Sequence, residues 1–325
     1  MNIRRLQQTG GKLGNSFLVI VPMEWVRRHG LKKGDPIVVS EREDGCLLLD
    51  PRLPRSGEAR RAVIQLESNL KWSITSTYLL GFDEIRIVSV DPLTSDMRDE
   101  VRRIIKRFVA LEITEENENE IVLQCLVDPS TISVEKAMKR MSLITSTMLR
   151  DAVQAFVTGA RDLSEYVCQK DEEVDRFFFL MVRELRSATQ YPSISEKMGI
   201  PPVKALDFRL AVQYIERIAD LAVDVARQAT ASPIDVILAE DVKRIAEFAS
   251  EMLHKSVTNL FKFDPDVVTW VMGAERDLVD DVGRMRTRII GAAKDSAQAC
   301  LQVIECLLRI GETAKDIVDL ALPPT

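Results

Sequence analysis

The residues of this 325-residue chain best suited to chemistry are acids at helical spacing. Asp171 and Asp175 lie four apart, so a helix would point both from one face. Glu216, Asp220 and Asp224 continue the same spacing over two turns. Carboxylate oxygens suit hard or borderline cations such as Mg, Mn, Fe or Zn. Carboxylates on two facing helices repel one another unless a cation, a proton or an arginine lies between them. Inward-pointing carboxylates are also how di-metal helical bundles build their sites. A plain solvated helix face carries acids at this spacing too, so the spacing alone leaves both readings open. An enzymatic site finds less support. His29 and His254 are distant in sequence, and Glu251 with His254 gives the Glu-x-x-His spacing only once, outside the acidic pattern. No nucleophile elbow or phosphate-binding glycine loop is present, so the chain reads as a non-enzyme.

The elements that must position these acids are long amphipathic helices. From Ser133 onward the pattern predicts six, at about 133–160, 163–188, 202–230, 233–262, 265–292 and 295–321. Ser232-Pro233 and Asp264-Pro265 each place a capping side chain before a proline at the first helical position, Asp295 can cap the last helix, and Pro323-Pro324 ends it. Helices this apolar must bundle.

These helices repeat. Lys139-Arg140-Met141 with Met148-Leu149 matches Lys243-Arg244-Ile245 with Met252-Leu253 at a shift of 104. Val174-Asp175 matches Val279-Asp280 at 105, and Arg217–Asp224 matches Arg309–Asp316 at 92. Helices one to three thus correspond to four to six. On this alignment Arg276 replaces Asp171 and Leu308 replaces Glu216, leaving Asp280, Glu312 and Asp316 as the acids of copy two, with Asp277 and Asp281 as a shifted pair. Copy one is the better candidate metal site.

The front of the chain differs. Residues 1–52 carry β signals: the apolar run Ser16–Val21, the strand Ile37–Ser40, and Cys46–Leu49 after the turn Asp44-Gly45, with a short helix Met23–His29 between Pro22 and Gly30. Pro51, Pro54 and Gly57 read as a linker. Residues 58–128 read as mixed α/β: a helix from Glu58 to about Leu80, a strand Glu84–Val90, a helix Ser95–Val109, and strands near Leu111–Thr114 and Ile121–Val127, closed by Asp128-Pro129.

Charge separates head from body. Residues 1–55 hold 10 Lys+Arg and 6 Asp+Glu, a balance of +4 within a chain of net charge −6. Arg4, Arg5 and Lys12 cluster before the first strand and could contact the phosphates of double-stranded DNA. A dimerisation module with a solvated basic rim would carry similar residues. Trp25 reads as core packing beside Pro22. Five scattered cysteines without a CxxC pair read as free thiols in a reducing compartment. With neither signal peptide nor apolar span, the expectation is a cytoplasmic protein without membrane insertion.

Two family resemblances follow. Glu216–Asp224, echoed at Arg309–Asp316, resembles the signature of PhoU phosphate-uptake regulators, and the likeness covers roughly residues 133–321. That resemblance implies tandem three-helix bundles with a metal-binding E/D-x-x-x-D motif, falling here on Asp171 with Asp175 and on Glu216 with Asp220. The head, through Thr9–Ser16, Val21–Val26 and Gly30–Asp35, resembles SpoVT/AbrB swapped-hairpin domains. This implies two chains interleaving into one DNA-binding barrel. The joined architecture is similar to archaeal PhoU-type regulators.

The expected fold is therefore mainly α: a small swapped-hairpin β head (1–53), a mixed α/β segment (58–130), and tandem PhoU-like three-helix bundles (133–231 and 232–322). The expected function is a homodimeric, DNA-binding, metal-binding regulator of phosphate uptake, whose bundles sense a metal or metal-bound phosphate or dock on a partner such as a phosphate transporter ATPase or a signalling protein. The alternative is an interaction protein that dimerises through its head without binding DNA and docks on a phosphate transporter or signalling partner.

Overall fold

The computed structural model describes residues 3–9, 16–41, 45–51, 60–66, 69–126, 133–229, 234–292 and 297–323. The chain divides into two units, Met1–Glu58 and Ala59–Thr325. The expected features at Gly10–Asn15, Lys12, Asp44, Pro54, Gly57, Asp128-Pro129, Ser232-Pro233, Asp295 and Pro324 lie outside the described residues.

The first unit holds two antiparallel hairpins and a short helix. Strands β1 (Gln7–Thr9) and β2 (Ser16–Leu18) pair, helix α1 spans Met23–Arg28, and β3 (Val38–Glu41) pairs with β4 (Leu47–Asp50). None of its described residues is buried. Phe17, Val19, Ile20 and Leu47 are all more than half exposed. Trp25, expected in a core, is half-exposed and packs on His29 with ring centroids 5.1 Å apart.

The second unit opens with β5 (Arg61–Gln65), α2 (Leu70–Leu79), β6 (Glu84–Val88), α3 (Ser95–Ile105), β7 (Leu111–Glu116) and β8 (Glu120–Cys125). The sheet order is β5-β6-β8-β7, with β5 parallel to β6 and the other pairs antiparallel. The single helix expected from Glu58 to Leu80 is corrected here. Arg61–Gln65 alternates exposed and half-buried residues with the period of a strand and pairs with β6, and the helix starts only at Leu70.

The long helices follow: α4 (Val134–Thr158), α5 (Arg161–Gln190), α7 (Pro202–Arg227), α8 (Val236–Asn259), α9 (Pro265–Ala292) and α10 (Ala297–Val318). A short helix, α6 (Pro192–Met198), lies in the connection where no helix was expected. Ser133 caps α4, and Gly159 ends it in a left-handed conformation at φ 71°. Asp235 caps α8 by accepting from Ile237 N–H. At the start of α9, Asp264 accepts from the Asp266 N–H, with Pro265 at the first helical position as expected.

Burial fixes the register of the repeat. Buried residues of α4 and α8 align at a shift of 104, as Met138 with Val242 and Leu149 with Leu253. Those of α7 and α10 align at 92, as Ile215 with Leu307 and Ile218 with Ile310. In α5 and α9 the buried pairs Val167/Val271, Val174/Leu278, Phe178/Val282 and Met181/Met285 align at 104, not 105. Val174 is 0% exposed whereas Val279 is 43% exposed, so the matching Val-Asp pairs are not equivalent positions. The structural counterpart of Asp171 is therefore Glu275 rather than Arg276, and that of Asp175 is Val279 rather than Asp280.

A buried arginine helps join the α/β segment to copy one. Arg183 on α5 is 1% exposed. Its Nη1 donates to the Tyr78 and Phe82 carbonyls at 2.8 Å each, and its Nη2 donates to Asp83 Oδ1 at 3.0 Å. Its Nε lies 3.6 Å from the buried Glu184 carboxylate.

Candidate functional site

The acids of copy one lie on the facing sides of α5 and α7. Asp171, Asp175, Glu216 and Asp220 are each half-buried, because the apolar stripes of both helices face the core and the acids border them. Their charges act on one another. Burial raises the Asp171 carboxyl to about 6, helped by the charges of Asp175 and Asp220. Burial likewise raises Glu216 to about 7, with Asp220, Asp175 and Asp171 adding to the effect and the Gln213 hydrogen bond opposing it. Asp220 is also raised, first by burial, while Arg217 pulls it down. A half-buried carboxylate group of this kind holds protons or cations more readily than an exposed one.

The side chains do not converge as a ready-made cage. Among the described residues, no three His, Cys, Asp or Glu side chains gather at one point as metal ligands. Four of the acids have a local partner instead. Arg107 Nη2 lies 3.4 Å from Asp175 Oδ2, and Gln213 Nε2 donates to Glu216 Oε2 at 2.8 Å. Arg217 Nη1 lies 3.9 Å from Asp220 Oδ2. Asp224 stands apart, 3.4 Å from Arg227. It also faces Cys306 of α10, whose thiol is raised first by burial and then by the Asp224 charge. The all-oxygen donor set fits a hard cation, provided Arg107 and Gln213 release their acids.

No sequence motif points to Arg107. It lies 68 residues before Asp175, in the turn between α3 and β7. Its guanidinium also stacks over Phe179 at 5.0 Å, and the adjacent Phe108 packs edge-on against that same ring at 5.2 Å. Ala110 ends the turn at φ 56°, a left-handed conformation costing a non-glycine residue about 1 kcal/mol. Gln213 could have been found from sequence, since it sits three residues before Glu216 on one helix. Glu275 could have been found by holding the first helix's shift of 104.

Copy two is weaker. Asp280, Glu312 and Asp316 are exposed, whereas Asp175, Asp220 and Asp224 are half-buried. Burial raises Asp316, with Asp319 and Glu275 contributing and Lys315 opposing. Asp281 is lowered by its hydrogen bonds to Arg244 and Arg284 against the effect of burial. Arg276, Asp277 and Asp280 point to solvent. Glu251 pairs with Lys255 at 3.5 Å and His254 is exposed, so that helix presents no inward-facing Glu-x-x-His pair. In the head, Arg4 and Arg5 are exposed.

Fold and site together define a duplicated three-helix bundle that carries a half-buried acidic face on its first copy, preceded by a hairpin head. The chain contains a PhoU domain, matched over residues 138–229 by the family model of that description. Residues 12–56 match the model described as "Antidote-toxin recognition MazE, bacterial antitoxin", in keeping with the expected AbrB-like head. Among solved structures, PhoU from Pseudomonas aeruginosa is 18% identical with a TM-score of 0.50, covering 59% of this chain and 95% of its own. PhoU from Streptococcus pneumoniae is 13% identical with a TM-score of 0.48, covering 58% of this chain and 91% of its own. The first likeness shows the bundle fold. No curated protein matches the chain.

Proposed function

We propose that the chain regulates phosphate uptake, with copy one as a cation-dependent sensing or docking bundle and the head as a dimeric DNA-binding module. The observation that carries this reading is the set Asp171, Asp175, Glu216 and Asp220 inside the PhoU domain, half-buried and mutually repelling. The cation would be Mg, Mn, Fe or Zn, and it would present positive charge to an anion such as phosphate. Asp175 and Asp220 are the residues on which occupancy should depend most. Copy two, with exposed acids, would bind weakly or not at all. The activity is regulatory rather than enzymatic, and the setting is cytoplasmic. Among the described residues no helix is long and apolar enough to cross a membrane. A phosphate transporter ATPase or a signalling protein is the expected partner.

The head supports dimerisation on its own terms. The described residues of the head form no buried core, and a second head interleaved with it would supply one. Two heads would also bring Arg4, Arg5 and Lys12 onto a two-fold DNA site.

The test measures both halves. Metal content of purified wild type is compared with Asp175→Ala/Asp220→Ala, and mobility shifts with phosphate-transport promoter DNA are compared with Arg4→Ala/Arg5→Ala. Equal metal in both proteins would refute the site. No shift at low salt would refute DNA binding and favour a second reading, an interaction protein whose uncovered apolar head only dimerises.

A further inference from the structure

We propose that the N-terminal half of α7 is a docking surface for an amphipathic helix of a partner protein, one that carries acidic residues along a flank of its apolar face. The inference rests on the docking side of the reading above and names the surface and the chemistry of the partner. It requires no metal.

Helix α7 has two apolar faces. Ala205, Phe208, Ala211, Val212 and Ile215 are buried in the bundle. On the opposite side Val203, Leu206 and Leu210 are 69%, 57% and 47% exposed. Steps of three and four residues set them in one line over two turns, and the half-buried Tyr214 continues it. Single exposed apolar residues are ordinary, but an aligned set marks an interaction surface. The second copy strengthens the point. At the shift of 92 between α7 and α10, Leu206 and Leu210 correspond to Gln298 and Gln302, which are also exposed. The same outward positions of one scaffold are thus apolar in copy one and polar in copy two.

The charges beside the stripe select the partner. Arg209 follows Leu206 by three residues on the flank turned toward α5, where its guanidinium carbon lies 5.4 Å from the Phe178 ring centre. It is half-buried, and both Nη atoms point to the neutral Gln213 Oε1 at 3.4 Å. Arg186 of α5 is close enough for its charge to act on Arg209. Among the described residues neither arginine forms an ion pair. Glu216 attracts Arg209 from two turns further on, but its carboxylate accepts from Gln213. On the other flank Lys204 acts on Asp207, so that side is balanced. Acids on the matching flank of a partner helix would supply the missing counter-charges. Copy two has Ile290 and Leu301 at the positions of Arg186 and Arg209, so the charges disappear together with the stripe.

A second copy of this chain fits the surface poorly. Antiparallel pairing of two α7 helices about a two-fold axis would set Arg209 against Arg209. Three side chains also fall far short of the roughly 800 Å² per partner that a stable dimer buries.

The experiment uses the full chain and two fluorescein-labelled helical peptides of about 18 residues, long enough to form several turns. Both carry leucines at alternating steps of three and four residues, and they differ only in one flank, which is glutamate in the first and lysine in the second. Fluorescence anisotropy reads binding. Wild type should bind the glutamate peptide about 10-fold tighter than the lysine peptide at low salt, and salt at about 0.5 M should shrink that difference. Arg186→Gln/Arg209→Gln should bring the two affinities together. Leu206→Gln/Leu210→Gln, which installs the copy-two residues, should weaken both peptides about 10-fold or more while keeping the melting temperature of wild type, because both side chains are exposed. No binding of either peptide, or equal binding of both by wild type, would overturn the proposal. Binding that survives Leu206→Gln/Leu210→Gln would also overturn it, placing the docking surface elsewhere while the docking reading stands. If that variant lowers the oligomeric state in sedimentation, a second copy covers the stripe and the proposal falls. The metal and DNA tests above are independent of all these outcomes.

Discussion

Leu278 on α9 fills the space that a side chain at position 311 of α10 would need: a Cβ built on Gly311 would lie 2.0 Å from Leu278 Cδ2. The equivalent positions of copy one hold Val174 and Ala219, both buried. A larger residue on one helix thus accompanies a smaller one on the other. Gly311→Ala should destabilise the protein by about 1–3 kcal/mol through overpacking. Adding Leu278→Val should recover part of that loss by recreating the copy-one pair. Thermal unfolding of the two variants decides it, and a double variant no more stable than Gly311→Ala would refute the register at a shift of 104.

Arg183 is the second test. Replacing it with Met removes three hydrogen bonds and leaves Glu184 without the cation 3.6 Å away. Breaking a buried pair on one side costs about 3–5 kcal/mol. Urea unfolding of Arg183→Met should show that loss, and Arg183→Met/Glu184→Leu should regain much of it, because an apolar pair leaves no buried charge behind.

The acidic face sets a pH dependence with a definite sign. Glu216 is raised from 4.5 to about 7 and Asp171 from 3.8 to about 6. The folded chain therefore holds more protons at these sites than the unfolded chain between those values. Their contribution favours folding at low pH and is lost as pH rises through the folded values. In metal-free protein, Glu216→Gln/Asp171→Asn should flatten the fall in melting temperature between about pH 4 and 7 relative to wild type. A variant with an unchanged slope would refute the electrostatic account. Metal addition to wild type at pH 7 should release protons, measurable from the buffer dependence of the calorimetric heat.

DNA binding by the head carries its own signature. Each phosphate contact contributes about 0.9 to the slope of log affinity against log salt. If Arg4 and Arg5 each touch a phosphate, Arg4→Ala/Arg5→Ala should reduce that slope by about 2 per head. Weaker binding at an unchanged slope would place these arginines elsewhere.

Much of the fold was legible before the structure. The six long helices announce themselves because prolines and capping side chains punctuate an apolar stripe of regular period, as at Asp264-Pro265, whereas the stop at Gly159 shows only in the structure. The strand at Arg61–Gln65 was hidden because no glycine or proline separates it from the helix at Leu70, and only pairing with β6 reveals it. The register of α9 was misread for a different reason. Val279-Asp280 copies Val174-Asp175 by letter, whereas packing follows the buried faces one residue away. The acids of copy one were visible as a spacing. Their partners were not, because Arg107 lies on a separate element and no local pattern connects it to Asp175.

The difference between Phe179 and Gly283 has a consequence for how the two halves tolerate change. These positions are equivalent by descent from one repeat, yet one lies under an aromatic clamp and the other faces open solvent. Substituting Phe179 should cripple the protein, while Gly283→Ala should improve it by about 1 kcal/mol through helix propensity. A mutational scan would thus show two copies that differ most where copy one meets the α/β segment. Duplication copied the scaffold, and the α/β segment then gave only one copy a neighbour to adapt to.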